Sequence, residues 1–180
     1  SNTTMAISAL GNSNSSVRLP FNLWMLAAGI LFILSTPAIY NLYRDISKPL
    51  SIITVLCIGI FAVGACIFTC IFSVNETKNI VTTASKIHGA GSAIGFMLLL
   101  FVPLFIAILS FRLGDRASGI FSVASFVLAL ICFVLFVMAD KPQFQNTVIA
   151  KEGLWQRLNL LFMYLPLAYI AIRNIADGQV

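Results

Sequence analysis

Apolar and polar positions along this chain come in long blocks, not in the short periods of a soluble helix or strand. Five apolar runs cover Phe21–Tyr43, Leu50–Val74, Ile87–Phe111, Ser118–Met138 and Leu154–Ile172. A helix rises about 1.5 Å per residue, so about 20 apolar residues cross a hydrocarbon core about 30 Å thick. Each run is of that order, and five in succession exclude a signal sequence or a lone buried core helix. The blocks predict an all-α polytopic transmembrane helix bundle with five helices in this chain. Residues 1–19 read as a polar N-terminal segment or external loop, and residues 20–180 as one transmembrane helical domain.

The connections alternate in length. Arg44–Pro49 and Arg112–Arg116 are tight, whereas Asn75–Lys86 and Asp140–Gly153 are longer and polar. The N-terminal segment and the two long loops therefore share one membrane face, and the tight connectors and the C-terminal tail share the other. Raw Lys and Arg counts on the two faces nearly tie. The density of Arg44, Lys48, Arg112, Arg116 and Arg173 on few residues makes the second face cytoplasmic. Loops 1–19, 75–86 and 140–153 are then external, in a multi-pass protein of the cell membrane with a cytoplasmic C-terminus. Asn-x-Ser/Thr triplets at Asn2, Asn14 and Asn75 all fall on the external face as glycosylation candidates.

Pro20 suits the first turn of the first helix, where its missing N–H is harmless, and Trp24 an interfacial anchor. Pro37, Pro103 and Pro166 lie inside runs one, three and five and predict fixed kinks. Gly89, Gly91, Ser92 and Gly95 give the third run a small-residue stripe. The spacing of Gly91 and Gly95 allows close helix approach, with Gly64–Ala65 and Ala28–Gly29 as candidate facing pairs.

Composition sharpens the class. Hydrophobic residues make up 59% and charged residues 9% of the chain, against roughly 25% charged in a typical soluble domain. The net charge of +5 is scattered over loops without a basic run, which gives no support to nucleic-acid binding. Membrane lipids are the expected surroundings. Cys57, Cys66, Cys70 and Cys132 all lie in apolar runs and read as small packing residues. One histidine and scattered carboxylates supply no metal-ligand spacing, and no phosphate loop, nucleophile elbow or other cofactor motif is present.

One polar cluster stands out at the external face. His88 and Lys86 open the third helix, and Glu152, Trp155, Gln156 and Arg157 open the fifth, with Asn159 one turn further in. Asn22 and Arg18 come from the first helix at similar depth. Such groups are costly near a bilayer unless they pair, face the protein interior or reach the interface. Two readings stand. In one, His88 and Glu152 are candidate catalytic acid/base groups, while Arg157, Gln156, Trp155, Lys86 and Asn22 receive a lipid headgroup at the helix N-termini. In the other, Glu152 and Arg157 satisfy each other and His88 bonds a loop carbonyl.

Three stretches carry a family resemblance. Ile7-Ser8-Ala9-Leu10-Gly11, Ile87-His88-Gly89-Ala90-Gly91 and Glu152-Gly153-Leu154-Trp155-Gln156-Arg157-Leu158 resemble, in order, elements of the domain-of-unknown-function 998 family of small membrane proteins. That family is distantly similar to the Frag/DRAM/Sfk membrane proteins. The resemblance implies six helices in a full-length member, the missing one preceding Ile7, and points to His88, Gln156 and Arg157. Ala9 stands where the family often has Glu, and residues 73–76 stand where an Asp is common.

No reaction follows from the sequence, and whether the protein is an enzyme stays open. The first functional reading is an accessory or structural subunit of a membrane complex, with other membrane-protein subunits as partners. The alternative is a lipid-handling protein, enzyme or binder, using the external cluster. A third is a small-solute transporter.

Overall fold

The computed structural model describes residues 3–72 and 82–176. Five helices organise them: α1 Arg18–Tyr43, α2 Lys48–Ile71, α3 Thr83–Leu113, α4 Arg116–Ala139 and α5 Glu152–Ala176. Each is long and apolar enough to cross a membrane. Short 3-10 turns lie at Ile7–Gly11, Pro142–Phe144 and Val148–Ala150. The helices match the five apolar runs in number and order, so the protein is an all-α, multi-pass membrane protein. The chain folds as two compact units, one of Ala6–Leu99 and one from Leu100 onward that also takes in the residues up to Met5.

Helix ends follow from local chemistry. Ahead of α3, the Thr82 hydroxyl accepts from the Ser85 amide, and the Ser85 hydroxyl accepts from the Thr82 amide. This reciprocal box starts the helix several residues before the apolar run does. At its other end Gly114 takes φ +88°. The Asp115 amide there reaches back to the Ser110 carbonyl at 2.9 Å, closing a Schellman-type stop that suits glycine. Asp115 then caps α4 by accepting from the Ser118 amide. In α1, Pro37 deprives the Ile33 carbonyl of its usual partner. The Thr36 hydroxyl replaces it at 2.8 Å.

In the Ala6–Leu99 unit, α2 carries a π-helical segment, Ala62–Ile67. Gly64 lies within it, against the Gly91 backbone of α3. A Cβ on Gly64 would sit 2.6 Å from the Gly91 carbonyl oxygen, and one on Gly91 would sit 2.8 Å from that of Gly64. Gly95 similarly admits Phe61 and Ala65, and Gly29 of α1 admits Ala62 and Cys66. Gly89 differs from the sequence expectation. A Cβ there meets nothing within 4 Å, because residues two apart on a helix face opposite ways. Phe61 anchors the same core through edge-on contacts with Phe32 and Phe96.

In the other unit, α4 and α5 pair antiparallel. Ser118, Ser122, Ser125, Ala129 and Cys132 are buried along α4, and Gln156, Asn159, Met163, Pro166 and Ile170 along α5. Both sets step by threes and fours, a coiled-coil-like seam with small side chains on one helix. Gly119 lies under the Phe111 ring, where a Cβ would come within 2.5 Å.

The glycine contacts are directly testable. Gly64→Leu or Gly91→Leu overpacks two backbones and is expected to lower the melting temperature of the detergent-solubilised protein, at a cost of about 1–3 kcal/mol or more. Gly89→Ala, with open space around it, is expected to leave it unchanged or raise it.

Candidate functional site

The polar side chains predicted at the external face are divided between the two units. Asn22, Lys86 and His88 belong to Ala6–Leu99, whereas Glu152, Trp155, Gln156, Arg157 and Asn159 belong to the other unit. Asn2 and Asn75 lie outside the described residues. Asn14 is exposed in a turn before α1, its amide donating to the Asn12 side chain at 3.0 Å.

At the start of α5 the guanidinium of Arg157 is committed to carbonyls. It donates to Gly153 at 2.8 Å and to Met5 at 3.1 Å. The Leu154 amide donates to the Thr3 carbonyl at 3.0 Å. The N-terminal residues thus cover part of the positive end of the α5 dipole. The carboxylate of Glu152 is not the partner of Arg157, which sets aside the mutual-pairing expectation. The indole of Trp155 donates to the Ile149 carbonyl at 3.1 Å and ties down the preceding turn.

Gln156 and Asn159 point the other way, into the seam with α4. Gln156 is buried. Asn159 has 0% of its surface exposed, and neither its amide nitrogen nor its amide oxygen has a hydrogen-bond partner. Continuing the antiparallel register that sets Ser118 beside Arg173 brings Asn159 level with Cys132. The Ser122 hydroxyl of α4 is likewise buried in this seam without a partner, whereas several serines and threonines of the other unit solve the same problem locally. Thr54 donates to the Leu50 carbonyl at 2.8 Å, Ser51 to Ser47 at 2.8 Å and Thr69 to Ala65 at 2.6 Å. An asparagine amide, with two donors and two acceptor lone pairs, is not satisfied by one such back-bond.

The Ala6–Leu99 unit carries two further buried polar atoms without partners. His88, in the second turn of α3, hydrogen-bonds to the Phe72 backbone, while its Nδ1 is left over. The Asn22 amide oxygen is also unpaired. It lies beneath the 3-10 turn, where a Cβ on Gly11 would approach to 3.2 Å. Lys86 is exposed.

A cluster that the sequence did not bring forward forms at the opposite ends of α4 and α5. Arg173, in the last turn of α5, donates to the Asp115 carboxylate at 2.7 Å and to the Ser118 hydroxyl at 3.2 Å. Its guanidinium also lies 5.9 Å from the Tyr169 ring centre, within cation–π range. Partial burial by itself would raise the Asp115 pKa. The Ser118 hydroxyl, the Ser118 amide and Arg173 together outweigh it and hold the carboxyl below its ordinary value. The available signal was the three-and-four spacing of buried positions, which runs back from Ser118 to Asp115 on α4 and on from Ile170 to Arg173 on α5, while the meeting of the two depends on how the helices are rotated. Among the described residues, no three His, Cys, Asp or Glu side chains come together as a metal site.

A family model described as Protein of unknown function (DUF998) matches residues 1–173. Neither a curated protein nor a solved structure matches the chain.

The Asp115 cluster sets a pH dependence. A carboxyl whose folded pKa lies below its unfolded one contributes stability that is complete above the ordinary value of 3.8. That contribution is lost as pH falls through the lower folded value. Asp115→Ala removes both the cap and the ion pair, and is expected to cost about 1–2 kcal/mol at pH 7. Melting temperatures across an acid titration check this, with the difference from the parent protein narrowing below pH 3.8.

Proposed function

The chain belongs to the DUF998 family, and we propose that it is a lipid-binding membrane protein whose polar subsite lies in the first turns of α5. Asn159 carries this reading. A fully buried amide with both polar atoms unpartnered costs about 1–3 kcal/mol per unmet group. An asparagine in an apolar helix is a functional candidate when its polarity is not spent on packing. Asn159 offers two donors and an acceptor, and Gln156 is buried one turn before it. Asn159 is seven positions along from Glu152, about 10 Å of helix. That depth suits the hydroxyl and ester oxygens of a lipid. His88 and Asn22 give the other unit unpaired polar atoms of its own. These observations support binding and name no reaction.

The subunit reading has a separate support. Only 6% of the most apolar stretch of α1 is buried, against 50% for α2 and α3. A helix so little covered by its own chain has a face free for another membrane protein. For topology, the exposed Arg44, Lys48, Arg112 and Arg116 favour the tight connectors as the cytoplasmic side.

Asn159→Leu tests the main reading. It removes an unsatisfied buried amide, so the variant is expected to fold with equal or higher thermal stability. It is also expected to lose lipid that copurifies with the parent protein, read by mass spectrometry after extraction from native membranes. Unchanged lipid content in a well-folded variant overturns the proposal. Stoichiometric recovery of a protein partner in the same purification, with no bound lipid, favours the subunit reading instead.

A further inference from the structure

The chemistry around Asn159 narrows its ligand to one class, an inference that rests on the lipid-binding reading. No charged residue is among those buried along α4 or α5. Arg157, two positions before Asn159 and roughly 160° round the helix, is turned to the Gly153 and Met5 carbonyls. Asp115 and Arg173 hold each other at the opposite end of the seam. Arg173 is 14 positions from Asn159, about 21 Å of helix. A phosphate, carboxylate or ammonium group brought beside Asn159 would lose its water and gain no countercharge there. The group that meets the amide is therefore uncharged.

The facing helix does not serve the amide either. Cys132 is level with Asn159, and Ala129 lies one turn away, both buried along α4. Alanine has no polar side-chain atom, and a thiol is a weak donor and a weak acceptor. Asn159 presents two donors and two acceptor lone pairs, and neither end of its side chain has a partner. An ester or ether oxygen only accepts, so it would leave the Asn159 Oδ1 unmet. A hydroxyl does both. One hydroxyl oxygen can accept from Nδ2 and donate its own hydrogen to Oδ1 of the same amide.

In a diacyl phospholipid every glycerol oxygen is already esterified, and the phosphate is charged. We infer that the Asn159 subsite selects an uncharged lipid with a free hydroxyl, of which a diacylglycerol is the simplest case. The position of Asn159, about 10 Å along α5 from Glu152, agrees with this. A charged headgroup is held back at the interface, whereas an alcohol can follow its chains to that depth.

Native mass spectrometry of the detergent-solubilised protein tests this, with dioleoylglycerol and the same lipid acetylated at its hydroxyl as probes. The acetate keeps both chains and removes only the donor. The alcohol is expected to bind about tenfold more tightly, because the acetate leaves a buried acceptor unmet. Dioleoylphosphatidylcholine is expected to bind no better than the acetate. In Asn159→Leu the preference for alcohol over acetate is expected to vanish. Asn159→Ala carries the same expectation should the leucine variant fail to fold, and the comparison of probes on the parent protein needs no variant. Equal binding of alcohol and acetate by the parent overturns the inference, which is also the result if a water molecule satisfies the amide. So does a preference that survives in Asn159→Leu, because the hydroxyl is then read elsewhere. If all three probes bind alike and all are lost in Asn159→Leu, the lipid-binding reading stands and the hydroxyl selection falls. If none binds and copurifying lipid is unchanged in Asn159→Leu, both fall.

Discussion

Hydrocarbon offers no hydrogen bonds, and that constraint organises this protein. Every polar group carried into a span has to find its partner inside the chain. Thr36 answers for the carbonyl that Pro37 leaves open. Thr54, Ser51 and Thr69 fold their hydroxyls onto the preceding turn. The ends are closed with equal economy, by the Thr82–Ser85 box, the Gly114 stop and the Asp115 cap. Asn22, His88, Ser122 and Asn159 each keep a buried polar atom without a partner, and among the described residues Asn159 leaves both ends of its side chain so.

The same solvent also weakens the usual reason for helices to associate. Apolar side chains gain little by leaving lipid for one another, so close backbone approach has to supply the attraction. The chain does this in two ways. In the Ala6–Leu99 unit, glycines of α1, α2 and α3 let backbones meet, and the π-helical turn Ala62–Ile67 carries Gly64 against Gly91. In the other unit, a run of serines, alanine and cysteine on α4 receives the larger residues of α5, with the Asp115–Arg173 pair at one end.

The sequence revealed the spans because length and hydropathy are local properties. The Gly91–Gly95 stripe was legible for the same reason, since its spacing lies within one helix. Gly89 was assigned to that stripe by proximity in sequence, and helical rotation turns it away. The Asp115–Arg173 pair joins residues 58 apart, and the Arg157–Met5 bond residues 152 apart. Such pairings depend on how each helix is rotated, which no local pattern specifies. Likewise the choice of Arg157 for carbonyls over Glu152 is decided by where the N-terminal residues lie. Of the predicted polar cluster, the identities of the residues were legible. The division of those residues between two units was not.

The Arg157–Met5 bond also bears on the order of folding. Its partners lie 152 positions apart, with α1 to α4 between them. A contact that closes so long a loop waits for its distal partner, so the carbonyls of Thr3 and Met5 find Leu154 and Arg157 only once α5 has formed.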